Sequence, residues 1–266
     1  MKTILITGSA GKVATIIRPY LRKHYKLRLL DRVATPNLSE NESMIIGDIC
    51  NQEDITAACQ GTDGIIHLAC AYALDIDFES TIEANYKAVL YLLDACHRYN
   101  IERFIFASSH HAQGQHKAVT YSGDHEPPAP DGFYGLSKLF GEDACALYSY
   151  KYGIKTLSIR IGNADVQIPN ARTKRIWVSG RDLAQLMQIG LENESITTDI
   201  VYGISNCTNA FFQNKHALEL GYKPQDNAND NLAPNFIDYD RMTEADGKDY
   251  VGGPYTPKDL FVNKPN

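Results

Sequence analysis

The sequence has no apolar run near the roughly 20 residues that a membrane-spanning helix needs, so a membrane protein is not expected. It has no C-x-x-C pair. Its six cysteines (Cys50, Cys59, Cys70, Cys96, Cys145, Cys207) are scattered. In a chain this long they read as reduced, buried thiols rather than three disulfides. The eight histidines show no ligand spacing around a cysteine pair, so no metal is expected. Basic charge is short as well: 26 Lys and Arg stand against 32 Asp and Glu, a net charge of -6. Nucleic acid and anionic membranes both ask for a basic face, so neither is an expected partner. The opening MKTILITG is too short and too strand-like for a signal peptide, and a cytoplasmic location is expected. No internal repeat or long linker interrupts the chain.

What is present is alternation. With 266 residues and 44% hydrophobic content, the chain can bury one large core or two small ones. KTILIT, KLRLLD, SMIIGD, GIIHLAC, ERFIFASS and KTLSIRIG read as strands. Between them lie helical patterns at 12–24, in NQEDITAACQG, at 77–98 and at about 132–152, with Pro19 placed to bend the first. Strands alternating with helices predict a parallel sheet covered on both faces, an α/β doubly wound sheet of the Rossmann type. After residue 162 the pattern loosens. NADVQIPNARTKRIW reads as a loop, Ser179 caps a helix to Glu192, DIVYGIS reads as another strand, and the tail from about 224 is polar and irregular. The expectation is a single domain over 1–266, with 163–266 forming a small substrate-side cap.

The first strand runs into TGSAGKVA, with Gly8 and Gly11 but Ala14 where a third glycine would stand. A turn of this kind at the end of a strand and the start of a helix offers free N–H groups and a helix dipole to a pyrophosphate. The alternative is an ordinary glycine turn. Asp31 decides between them: it ends the second strand about 20 residues on, where a carboxylate accepts from the ribose hydroxyls of NAD. A 2′-phosphate would meet like charge there, which favours NAD over NADP, although the adjacent Arg32 could hold a phosphate. Asp48 and Ile49, after the third strand, are placed to flank an adenine. Ala10, Lys12 and Val13 in the turn, with Leu68 and Ala69 after the fourth strand, complete the candidate cofactor set. The third glycine position serves helix-to-strand packing, where alanine is an accepted substitute.

FYGLSK places Tyr134 and Lys138 at i and i+4, on one helix face. FASSHH ends the fifth strand with Ser108, Ser109, His110 and His111, on the side that borders the cofactor crevice. Oxidising an alcohol requires its proton to leave as its hydride leaves. A tyrosine near pKa 10 is a poor base at neutral pH, but an ammonium and an oxidised nicotinamide favour its phenolate. Lys138 can also hold the ribose, and a serine can orient the reacting oxygen. A chance Y-x-x-x-K among 16 tyrosines is the plain alternative. The order of glycine turn, acid, serine and Y-x-x-x-K argues against it.

These motifs resemble the extended short-chain dehydrogenase/reductase superfamily, with its T-G-x-x-G-x-x-G turn, acid after strand two and Ser–Tyr–Lys set. Within it the chain is most similar to the uronate dehydrogenase family, through GIIHLA, FASSHH, PDGFYGLSKLFGEDAC, RIGN, NARTKRIWVSGRDL, LGYKPQDNA and VGGPY. The resemblance implies oxidation of the anomeric hydroxyl of a hexuronic acid by NAD to an aldarolactone. It implies Tyr134 as base, Lys138 as its partner and Ser109 as the orienting residue. His110 and His111 would line the sugar site, Arg172 would pair with the sugar carboxylate, and Tyr255 would pack over the site. Three features depart from the family. His110 stands in place of an asparagine and Asn163 in place of a serine. ACAYALDID lacks the family's glycine-rich, serine-containing stretch, and Tyr72 or Ala73 falls near that serine. Asn85 matches a family helix asparagine, or is a plain helix residue. The superfamily also implies a homo-oligomer, formed through helices beside the active-site helix. Two other functions compete. Sugar-nucleotide epimerases or dehydratases usually need a larger C-terminal part than the about 100 residues after strand six here. A non-catalytic dinucleotide sensor typically lacks the tyrosine or lysine that this chain keeps.

Overall fold

A computed structural model describes residues 1–73, 75–118 and 126–260. Leu74, within ACAYALDID, and residues 261–266, the end of the expected cap, lie outside the described residues. The first six strands are β1 Thr3–Thr7, β2 Lys26–Asp31, β3 Glu42–Ile46, β4 Gly64–His67, β5 Arg103–Ser109 and β6 Lys155–Ile161. Then come β7 Asn163–Ala164, β8 Ile168–Asn170, β9 Trp177–Val178, β10 Thr198–Gly203 and β11 Leu232–Ile237. The helices are α1 Lys12–Leu21, α2 Gln52–Cys59, α3 Phe78–Thr81, α4 Ala88–Tyr99, α5 Phe133–Tyr152, α6 Ala171–Lys174, α7 Gly180–Glu192 and α8 Lys215–Glu219.

Seven strands form one sheet in the order β10-β6-β5-β4-β1-β2-β3, and every pairing in it is parallel. Period-2 alternation sends Ile4 and Ile6 to one face and Leu5 to the other. The first face packs with Ala14 and Ile17 of α1 and Leu183 and Met187 of α7. The second packs with Ile55 of α2, Leu92 of α4 and Cys145 of α5. Both faces are covered, which is why the strands read as nearly unbroken apolar runs. The architecture is the expected doubly wound, Rossmann-type sheet. Its order reverses between β1 and β4, so the crevice beyond their carboxyl ends is where such sheets take ligands.

Several local expectations change. Helix α1 stops at Leu21, short of residue 24 and two residues past Pro19, which offers no N–H. The 77–98 helix is interrupted by a π-helical turn, Ile82–Lys87. NADVQIPNARTKRIW is not a loop but a chain of short elements, β7, β8, α6 and β9. A reciprocal cap between Asn170 and Thr173 nucleates α6, and β8 finds its partner in β11, more than 60 residues on, within the tail whose sequence reads as irregular. All six cysteines are free, but only Cys59, Cys96 and Cys145 are buried; the other three are partly exposed. Among the described residues, no helix is long and apolar enough to cross a membrane.

Candidate active site

The glycine turn is shaped by the residues that follow β4. Gly8 sits at φ +72°, and a Cβ there would stand 2.7 Å from the Ala69 nitrogen. Gly11 donates its N–H to the Gly8 carbonyl at 3.0 Å, and α1 begins at Lys12, leaving first-turn N–H groups directed at the crevice. Ala14 is fully buried in the core under the turn, so its extra methyl is packed against apolar side chains. Gly153 has the same φ, +72°, but a methyl added there would meet nothing within 4 Å. Gly153→Ala therefore carries only the left-handed backbone cost, about 1–2 kcal/mol. Gly8→Ala adds a backbone collision and should lose more stability in urea unfolding, together with dinucleotide binding. Equal losses at the two positions would refute the close-approach argument.

Asp31 closes this end. Its Oδ2 accepts from the Ala10 N–H at 3.0 Å and its Oδ1 from the Val33 N–H at 3.2 Å. Ala10 thereby serves the acid and does not line the cavity. A single cavity of about 800 Å³ runs from Asp31 to Arg172. Every other residue of the candidate set borders it, including Gly8, Gly11, Lys12 and Val13 of the turn. Asp48, Ile49, Leu68 and Ala69 line the same end. A turn with no room for a Cβ at Gly8, the N-terminus of α1 and an anchored acid suit an NAD molecule.

At the middle of the cavity, Tyr134 and Lys138 lie one turn apart on α5 and Ser109 ends β5. The Lys138 Nζ is 5.3 Å from the centre of the Tyr134 ring and 5.1 Å from that of Phe106. Burial pushes the Tyr134 phenol well above its usual pKa, with Cys70 and Tyr72 adding to the shift, while a hydrogen bond with Ser109 opposes it. Beneath them a buried network supports the strand end. Ser108 Oγ donates to Glu142 Oε1, and Arg160 clasps the same carboxylate at 2.9 and 2.8 Å.

The far end holds the substrate-side candidates. Arg172 is buried, and its Nη1 donates to the Val251 carbonyl at 2.8 Å. Burial lowers its pKa to about 10, and among the described residues no carboxylate forms a salt bridge with it. Gly253 lies flat against it: a Cβ there would stand 2.4 Å from the guanidinium carbon. Tyr255 follows in the tail, with its ring 4.1 Å from His111 and 6.1 Å from Tyr72. Tyr72 itself is exposed and meets Tyr134 edge-on at 4.8 Å. His110 and His111 are buried with ring centres 4.1 Å apart, and the Asn163 Nδ2 is buried without a partner among the described residues.

Asn85 is more than a helix residue. From the π-helical turn it accepts from the Ala71 N–H at 2.7 Å, and it donates to the Ala71 carbonyl at 2.9 Å and to Ser137 Oγ at 3.0 Å. It thus pins the segment leading to Tyr72 onto α5, and a π-turn at a working site is a recurrent device. Asp131 is a site residue that sequence reasoning misses. Its only local signal is the dipeptide Asp-Gly before α5, which reads as a turn.

A family model described as the NAD dependent epimerase/dehydratase family matches residues 4–164. The chain belongs to that family. Its members include the extended short-chain dehydrogenase/reductases that the motifs resemble. Within the family the chain is similar to uronate dehydrogenase of Pseudomonas putida, at 34% identity over 85% of this chain and 84% of that protein. Two solved structures share its fold closely. Uronate dehydrogenase from Agrobacterium tumefaciens, a tyrosine-to-alanine mutant complexed with NAD, has a TM-score of 0.88 at 28% identity, covering 98% of this chain and 99% of that one. Glucuronic acid dehydrogenase from Chromohalobacter salexigens also has a TM-score of 0.88 at 28% identity, with 99% of each chain covered.

Proposed function

We propose that the protein oxidises the anomeric hydroxyl of a hexuronic acid, of the galacturonate or glucuronate type, to an aldarolactone with NAD. One observation carries the reading: Arg172, a buried guanidinium without a carboxylate partner among the described residues, opens into the same cavity as Tyr134, Ser109 and Lys138. A uronate carboxylate completes Arg172 with a bidentate, charge-assisted pair. That places the sugar ring along His110, His111 and Asn163, under Tyr255 and Tyr72. Ser109 orients the anomeric hydroxyl. Tyr134 takes its proton, and the Lys138 ammonium favours the phenolate that Tyr134 needs as a base. Gly8, Gly11 and the first turn of α1 hold the pyrophosphate, and Asp31 holds the ribose. NAD, when bound, supplies the hydride acceptor. The similarity to uronate and glucuronic acid dehydrogenases supports the substrate class.

We read the chain as one nucleotide-binding unit, with the residues after 162 supplying the substrate side. Homo-oligomerisation is part of the proposal, supported by the exposed Leu136, Leu147 and Tyr150 of α5. So is a cytoplasmic location, which six free cysteines favour.

The test is an NAD-reduction screen over hexuronates, aldoses and their phosphates. Stoichiometric NADH from a hexuronate is expected. NADH from neutral aldoses alone would reject the uronate. NAD retained through purification, with no net NADH, would instead indicate a sugar-nucleotide epimerase.

A further inference from the structure

Asp131 lies two residues before α5, and its side chain is fully buried. Two chain segments close around it, the turn at 111–114 and the tail at Gly252. A Cβ on Gly114 would stand 1.9 Å from its Oδ2, and one on Gly252 would stand 1.8 Å from the same atom. Its backbone N–H donates to the His111 carbonyl at 3.4 Å. Burying a carboxylate this completely is costly, so the fold must gain from its position. The Asp131 Oδ2 meets the His111 Nδ1 at 2.7 Å. Burial raises the Asp131 pKa to about 7, so the carboxylate is ionised in mildly alkaline solution.

His111 is neutral, because burial and the nearby Arg172 both disfavour the imidazolium. A neutral imidazole carries one N–H. An ionised carboxylate can only accept, so that N–H sits on Nδ1 and Nε2 keeps a lone pair. His110 follows the same logic through a different partner. Its Nδ1 lies 3.0 Å from the Ile161 carbonyl, which also only accepts. Its Nε2 is buried with no partner among the described residues. Both residues border the cavity, with their rings side by side.

We infer that Asp131 is a positioning residue that holds His111 as the Nδ1–H tautomer, so that its Nε2 presents an acceptor nitrogen to a hydroxyl group of the sugar ring. Carboxylate, carbonyl and ionised phosphate oxygens have no proton to offer such an acceptor. The subsite therefore selects hydroxyls, while Arg172 selects the acid. The inference rests on the proposed sugar substrate.

Asp131→Asn tests it. An amide can offer N–H to Nδ1 and release the ring proton to Nε2, which then donates. The experiment compares kcat/KM for a hexuronate and its monodeoxy analogues in wild type and variant. In wild type, removing the hydroxyl read by His111 should cost about 10- to 100-fold. The variant should lose a similar factor on the parent sugar and keep nearly the wild-type value on that deoxy analogue. Equal losses on both sugars, or none on either, would overturn the assignment. Should no hexuronate be oxidised, the substrate reading fails by itself. The same comparison is then made on the aldose that reduces NAD fastest. A second measurement needs neither turnover nor a folded variant: the ¹⁵N shifts of the histidine rings in wild-type protein in mildly alkaline buffer. Nδ1–H with bare Nε2 is expected at both positions, and Nε2–H or imidazolium at His111 would overturn the inference.

Discussion

Tyr134→Phe is expected to lower kcat on a hexuronate by about 10²–10⁴-fold, the range that a positioned acid–base group supplies. NAD affinity, measured by calorimetry, should stay close to wild type. The substitution removes only the phenolic oxygen. The ring, which meets Tyr72 and His111 edge-on at 4.8 and 5.7 Å, remains to hold its neighbours. The sign of the pH dependence follows from the same residue. Burial raises the Tyr134 phenol well above its usual pKa, so at neutral pH the basic form is scarce. The oxidation rate should therefore rise with pH as phenolate forms. That rise should vanish in the residual activity of the phenylalanine variant. A variant that keeps both its rate and its alkaline rise would remove Tyr134 from the mechanism.

Arg172→Ala is expected to act on substrate choice. Hydrogen bonds to charged groups contribute about 1.5–3 kcal/mol each, so losing one bond's worth should raise the KM for a uronate by about 10-fold, and losing both bonds of a bidentate pair by more than about 100-fold. Any turnover of neutral aldoses should change far less, because they make no such pair. The ratio of the two therefore reports the carboxylate contact apart from general damage. General damage is to be expected in some measure, since Arg172 also donates to Val251 and packs under Gly253. Arg172→Lys should restore charge without the planar fork and recover only part of the affinity. Equal losses on acidic and neutral sugars would make Arg172 a clamp for the tail rather than a reader of the substrate.

Both variants address residues visible in the sequence, for different reasons. Tyr134 and Lys138 announce themselves by spacing, because i and i+4 must share a helix face wherever that helix packs. Gly8, Gly11 and Asp31 are legible because a strand, a tight turn and a helix N-terminus are consecutive in the chain. Arg172 is legible through resemblance alone; nothing local to NARTKR distinguishes a buried guanidinium from a solvated one. Its burial comes from Val251 and Gly253, about 80 residues away.

The sequence by itself determined the alternation of strands and helices, hence the doubly wound parallel sheet and the cofactor end of the cavity. These are written in short-range periodicity and consecutive motifs. Tertiary structure decided how the substrate end is assembled. It brought Asp131 beneath His111, set Asn85 in a π-helical turn against Ala71, paired β8 with β11 and folded the tail over Arg172. Each of these joins separate segments of the chain through polar contacts, and those around Asp131, Asn85 and Arg172 are wholly or partly buried. Their strength comes from exclusion of water, a property of the packed molecule that no local pattern encodes.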